Sequence, residues 1–199
     1  MEAFSVDAAG KVCADVGAST GGFTDCLLQN GAVKVYAIDV GYGVLHWRLR
    51  NDPRVVVMER TNARYVDSLP EAVDLVTIDA SFISLSLILP AVKGWFDGTE
   101  GQVIALIKPQ FEAGRKEAAV HAGVIKDHTV HAAVLSATLA DAIELGFYPL
   151  GLIPSPIRGP KGNVEFLVDL YLLPMPEAGI DTELMIADAL QNIPTELTD

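Results

Sequence analysis

The chain has 199 residues, half of them hydrophobic, with 26 acidic against 14 basic side chains and a formal net charge of −12. That length is enough for one sizeable core, and the charge argues against a protein that grips nucleic acid strongly through an overall basic face. No apolar run is long enough for a membrane span and no basic-then-apolar leader opens the sequence, so the expectation is a cytoplasmic protein without a membrane partner.

The first predicted strand, Val12–Val16, turns directly into Gly17-Ala18-Ser19-Thr20-Gly21-Gly22-Phe23, and a helix is expected over Gly22–Gln29. Glycines here allow tight geometry and close approach of a ligand, while the free amides of the helix start favour polar or anionic groups. A second strand, Lys34–Asp39, ends in a carboxylate about 20 residues past the loop, the spacing at which a ribose diol is held. The ligand therefore contains a nucleoside. The loop has neither the G-x-G-x-x-G order of a dinucleotide site nor the Gly-Lys-Ser/Thr of a phosphate loop. Its Asp15-x-Gly17-x-x-x-Gly21-Gly22 order resembles the first motif of S-adenosylmethionine-dependent methyltransferases. That likeness implies an amino-acid moiety in the loop, with an acidic residue near its ammonium.

Further along, a helix is expected over Val44–Asn51, strands over Val55–Glu59 and Val73–Asp79, a helix over Ser84–Lys93 and a strand over Val103–Lys108. Phe111–Lys126, rich in Gly, Ala and charge, reads equally as a mobile substrate loop or an exposed connection. A long helix runs from about His128 to Leu145 behind the Asp127 cap and stops at Gly146. Tyr148–Pro154 and Val164–Leu172 follow each other without a helix, which predicts an antiparallel final pair. Pro174–Gly179 reads as a linker and Thr182–Asn192 as a short amphipathic helix, in an acidic end from Glu177 to Asp199. Strands alternating with helices predict a doubly wound α/β sheet whose ligand lies at the carboxyl ends of the strands.

Several residues have plain readings. Cys13 and Cys26 are expected as reduced small hydrophobes, and Trp47 and Trp95 as packing residues rather than base-stacking platforms. His128 and His131 share a helix face, but without a third ligand they read as first-turn helix residues, so no metal site is expected. Lys11, Asp79, Lys108 and Glu165 stand at strand ends, where charged groups would satisfy one another. A lysine beside a carboxylate there can also orient a ribose hydroxyl and take its proton during methyl transfer.

Taken in order, Asp15–Asp25, Ile38–Gly43, Glu59–Asn62, Ile78–Ser84, Lys108–Gly114 and Gly159–Glu165 resemble the TlyA or haemolysin-A family, which belongs with the FtsJ-like RNA 2′-O-methyltransferases. The resemblance implies a Rossmann-like methyltransferase fold over residues 1–173, with a mostly parallel seven-stranded sheet and an antiparallel final strand, and an acidic tail with a short helix over 174–199. It implies S-adenosylmethionine as cofactor and 2′-O-methylation of ribosomal RNA, typically at cytidine, with ribosomal RNA or subunits as partner. The family's Lys-Asp-Lys-Glu catalytic set would fall on Lys11, Asp79, Lys108 and Glu165, with Lys108 central. Cofactor contacts would come from Asp15, Gly17, Ala18, Ser19 and Thr20, then from Gly21, Gly22 and Phe23. Asp39, Val40 and Asp79 would join them, with Thr61 and Asn62 on the adenine side.

Family members usually carry a basic S4-type RNA-binding domain ahead of this one, whereas the present sequence begins almost at the first strand. Weak affinity for RNA by this chain alone is expected. Beyond Leu173 the tail is open to three readings: packing on the body, homo-oligomer formation, or disorder. A cofactor-binding but inactive module acting through partners is the alternative function. A membrane-lytic role is disfavoured, since neither a spanning segment nor a basic amphipathic helix is present.

Overall fold

The computed structural model describes residues 2–98, 100–114, 123–172 and 179–194. Its strands are β1 (Val12–Val16), β2 (Lys34–Ile38), β3 (Val55–Met58), β4 (Leu75–Ile78), β5 (Gly101–Ile107), β6 (Phe147–Pro154) and β7 (Phe166–Leu172). They form one seven-stranded sheet in the order β3-β2-β1-β4-β5-β7-β6. Pairings β1–β2, β1–β4 and β2–β3 are parallel, while β7 runs antiparallel to its neighbours, so the final strand is the reversed one, as expected. The helices are α1 (Gly22–Gln29), α2 (Trp47–Arg50), α3 (Leu89–Lys93), α4 (Pro109–Glu112), α5 (His128–Glu144) and α6 (Thr182–Gln191). None of the described helices is long and apolar enough to cross a membrane.

Contacts divide the chain into two compact units, Met1–Ala80 with Leu87–Ile104, and Ser81–Ser86 with Ala105–Asp199. In the first, the strands are nearly continuous apolar runs, as parallel strands covered on both faces require. Val35–Ile38 and Leu75–Ile78 are all buried, and Trp95, 2% exposed, donates from Nε1 to the Val66 carbonyl at 2.8 Å. Cys13 is likewise buried, and Cys26 half-buried; both are free thiols.

Two predicted helices are shorter than their periodicity suggested. His46 accepts from the Arg48 amide through Nδ1, so α2 starts only at Trp47. The Ser84–Lys93 stretch splits into a 3-10 turn, Leu85–Leu87, and α3, because Pro90 has no amide to continue a hydrogen-bond ladder and sits in the first turn instead.

In the second unit α5 opens as expected, with Asp127 Oδ1 accepting from the Thr129 amide at 2.8 Å. His131 of α5 is fully buried against Phe166 and donates from Nε2 to the Ile125 carbonyl at 3.1 Å. β6 pairs with β7 through an irregularity between Pro149 and Gly151. α6 buries Ile186 and Ala189 behind an Asp181 cap. The linker Pro174–Gly179 lies outside the described residues except for its last residue, and so do residues 115–122 of the Phe111–Lys126 stretch.

Candidate active site

The β1–α1 elbow is built by close backbone contact. Gly17 and Ala18 both donate to the Ile38 carbonyl, at 2.8 and 3.2 Å, which folds the loop over the end of β2. Gly17 (φ +78°) and Gly21 (φ +103°) are left-handed, and a side chain on Gly17 would run into the backbone of Asp79. Ala18 is buried, whereas Ser19, Thr20 and Gly22 face solvent and Phe23 is half-buried. The N-cap residue Gly21 offers no side chain to the first amides of α1, and the Thr24 amide donates to the Asp15 carboxylate.

Asp15 departs from its expected place beside a ligand ammonium. It is 1% exposed, and its carboxylate accepts from Thr24 Oγ1 at 2.7 Å and from Thr77 Oγ1 at 2.9 Å. Burial pushes its pKa up to about 6, against the pull of the two threonine hydroxyls. It ties β1, α1 and β4 together beneath the loop.

Asp39 stands at the end of β2 with both oxygens engaged from one side: Oδ2 accepts from the Ser19 amide at 2.8 Å and Oδ1 from the Gly41 amide at 2.7 Å. The Thr61 amide donates to the Asp39 carbonyl at 2.9 Å, which brings the segment after β3 to the same edge. There Val40 is 69% exposed, and Asn62 caps a 3-10 turn, Ala63–Tyr65, by accepting from the Arg64 amide at 3.1 Å. Ser19, Asp39, Val40, Thr61 and Asn62 thus gather at the carboxyl edge of β1, β2 and β3.

Half-buried Asp79 follows β4 at that edge, its amide donating to the Val16 carbonyl at 2.8 Å. Lys11 does not join it, which corrects the proposed set. It precedes β1, which pairs with β4 from Cys13↔Leu75 to Val16↔Ile78, and so lies at the amino edge of the strands. Six residues at about 3.3 Å each separate its position from that of Gly17 beside Asp79, roughly 20 Å, more than a lysine spans.

In the second unit Lys108 and Glu165 line one cavity of about 690 Å³. Both are 8% exposed. β7 is antiparallel, so its opening residues lie at the edge where β5 ends. Lys108 Nζ donates to Ser81 Oγ at 3.1 Å, and Gln110 Nε2 donates to Glu165 Oε1 at 2.8 Å. Gly159 passes so close to Glu165 that a β-carbon there would stand 2.6 Å from Oε1. Asn163, 4% exposed, accepts from the Ile125 amide at 3.0 Å and donates to the Gly123 carbonyl at 2.9 Å, which fixes one wall of the cavity.

Sequence reading missed Ser81, Phe82, Gln110 and Asn163, although all four lie within the quoted motifs. Phe82 carries the clearest structural signal: its backbone is left-handed (φ +65°), its ring is 88% exposed, and it packs on Phe111 at 4.7 Å on the lining of the same cavity. A second omission is a surface of the first unit. Arg48, Arg60 and Arg64 lie over the exposed rings of Trp47, Tyr42 and Tyr65 at 5.7, 4.2 and 5.5 Å, whereas Arg50 and Arg54 are paired with Glu59 and Asp52. The Arg60 amide donates to the Gly41 carbonyl and the His46 amide to the Thr20 carbonyl, so these segments adjoin the elbow.

The strand order, the reversed β7 and the glycine elbow after β1 define the fold of S-adenosylmethionine-dependent methyltransferases. A solved methyltransferase of that description from Mesorhizobium loti superposes with a TM-score of 0.63 at 14% identity, covering 85% of this chain and 94% of the other. A solved structure from Lactococcus lactis that carries the hemolysin name gives a TM-score of 0.84 at 45% identity, covering 96% and 90%. The FtsJ-like methyltransferase family model matches residues 1–171. The 16S/23S rRNA (cytidine-2′-O)-methyltransferase TlyA of Mycobacterium tuberculosis is 49% identical over 172 residues, and Hemolysin A of Brachyspira hyodysenteriae 42% over 175. This chain therefore belongs to the FtsJ-like methyltransferases, in the group of TlyA and Hemolysin A. It spans 63% of the length of the M. tuberculosis relative and 71% of that from B. hyodysenteriae, which cover 84% and 85% of the chain.

Proposed function

We propose that this chain is the methyltransferase domain, over residues 1–173, of an enzyme that methylates a ribose 2′-hydroxyl of ribosomal RNA, at cytidine, using S-adenosylmethionine in the cytoplasm. The observation that carries the reading is Lys108, nearly buried on a cavity wall with Glu165 and Gln110 and hydrogen-bonded to Ser81. The bound cofactor supplies an electrophilic methyl group on a sulfonium. Lys108, when neutral, would accept the proton of the 2′-hydroxyl that attacks this methyl group. Glu165 orients the lysine and the ribose, and Asp79 belongs to the set through the family resemblance.

The elbow fits the cofactor in chemistry. Asp39 offers its carboxylate to the ribose diol, Gly17 to Phe23 admit the amino-acid part, and Val40, Thr61 and Asn62 flank the adenine. Asp15 supports this set from beneath. RNA affinity on an acidic body comes from local features: the three arginines stacked on exposed rings, and the exposed face of Phe82, which suits a base.

The test is methyl transfer from labelled S-adenosylmethionine to unmodified ribosomal subunits, with this chain and with a version joined to a basic S4-type domain. The expected product in nuclease digests is 2′-O-methylcytidine, with more of it from the joined protein. Cofactor binding without transfer to any RNA in either form would instead favour a binding module that acts through partners.

A further inference from the structure

Phe82 holds a bulky side chain in the left-handed region, a conformation that costs on the order of 1–3 kcal/mol and persists only where its surroundings over-determine it. Its own ring contributes little burial, being 88% exposed. The restraint must come from the rest of the Ser81–Ser86 loop. One short turn of chain, Lys108 to Glu112, supplies it. Lys108 holds Ser81, Phe111 packs on Phe82, and Glu112 takes the far end, accepting from Ser84 Oγ at 2.5 Å and from the Leu85 amide at 2.9 Å.

We propose that Glu112 is a positioning residue of the methyl-transfer reaction: by bridging Ser84 and Leu85 to α4 it holds Phe82 in its strained, outward conformation and Ser81 against Lys108. The inference rests on the function proposed above. Glu112 stands three residues after Pro109 and does not line the cavity that Lys108 and Glu165 share, so it acts through the loop and not on substrate. Its far side faces α5, where Asp141 is the charged neighbour. Burial first, and Asp141 to a lesser degree, raise its pKa, while Ser84 and the Leu85 amide oppose the rise. The bridge needs an acceptor at this place more than it needs a negative charge, which separates it from the acid–base groups of the cavity.

The experiment compares Glu112→Gln, Glu112→Ala and Ser84→Ala in the S4-joined protein, by single-turnover methylation of ribosomal subunits, calorimetric cofactor affinity and amide hydrogen exchange over 81–86. Glu112→Ala is expected to slow transfer at saturating subunits by on the order of 10- to 100-fold, to leave cofactor affinity within about twofold, and to speed exchange of the Leu85 amide. Glu112→Gln keeps a carbonyl acceptor and should retain transfer within a few-fold of the parent. Ser84→Ala, which keeps the Leu85 bond, should fall between the two. Equal losses in the Gln and Ala variants, or a Leu85 amide as protected in Glu112→Ala as in the parent, would overturn the proposal. A parent protein that transfers no methyl group would sink the methyltransferase reading, and the bridge would still stand or fall on the Leu85 amide.

Discussion

Gly17 passes beneath Asp79 so closely that a β-carbon on residue 17 would stand 2.5 Å from the Asp79 carbonyl oxygen. The glycine also holds φ +78°, so a side chain meets both a backbone clash and a left-handed strain. Gly17→Ala is expected to destabilise the fold by about 2 to 4 kcal/mol and to abolish cofactor binding. Urea denaturation with calorimetry checks this; wild-type stability in the variant would show that the β4 end yields freely.

Asp39 already accepts from two loop amides, so its loss removes both the proposed ribose partner and the restraint on Ser19 and Gly41. Asp39→Ala should weaken S-adenosylmethionine binding by about 1.5 to 3 kcal/mol. Calorimetry on the isolated chain reads this directly, and a variant binding as tightly as the parent would place the diol elsewhere.

Lys108→Ala removes the proposed proton acceptor and changes no residue of the elbow. Single-turnover transfer should fall by on the order of 10²-fold or more while cofactor affinity is nearly unchanged. Lys108→Arg should not restore it, because a guanidinium stays protonated. Full activity in Lys108→Ala would leave this lysine with a structural role only.

Asp15 makes stability depend on pH in an unusual direction. Its folded pKa of about 6 lies above the ordinary 3.8, so the folded state keeps a proton that the unfolded state releases. Its contribution is fully present below about pH 4 and is lost as pH rises through 6, a fall of up to about 3 kcal/mol at 1.36 kcal/mol per unit. Asp15→Asn should remove most of that fall and match or exceed the parent in stability at pH 8. Urea midpoints from pH 4 to 8 provide the check; parallel pH profiles for the two proteins would contradict it.

Arg48, Arg60 and Arg64 lie in a chain of net charge −12, so their replacement should show clearly in RNA binding. With all three changed to Ala, the slope of log affinity against log salt for a single-stranded ribosomal RNA fragment should flatten by about 2, at about 0.7 per lost phosphate contact. An unchanged slope would assign RNA contact to another face.

The fold was legible because apolar strands alternate with helices and the glycine elbow fixes the first crossover. Chain direction accounts for the one misplaced charge. Lys11 and Glu165 both stand just before strands, yet β1 is parallel to its neighbours and β7 antiparallel, so their starts fall at opposite edges. Reading strand ends without their sense put the two lysines together. Asp15 was misjudged for a different reason: sequence showed an acid near the loop, and only packing revealed that Thr24 and Thr77 claim it. Glu112 and Asn163 act through backbone amides distant in sequence, and neither periodicity nor composition records such pairings.

Pro149 and Pro154 on the outermost strand β6 leave no amide hydrogen at those positions, and the irregularity between Pro149 and Gly151 accompanies a Leu150 that is 56% exposed. An edge broken in this way gives an incoming strand no continuous row of donors. Growth of the sheet by addition of a foreign strand is blocked there, so a chain that is half hydrophobic is protected along this border against edge-to-edge polymerisation.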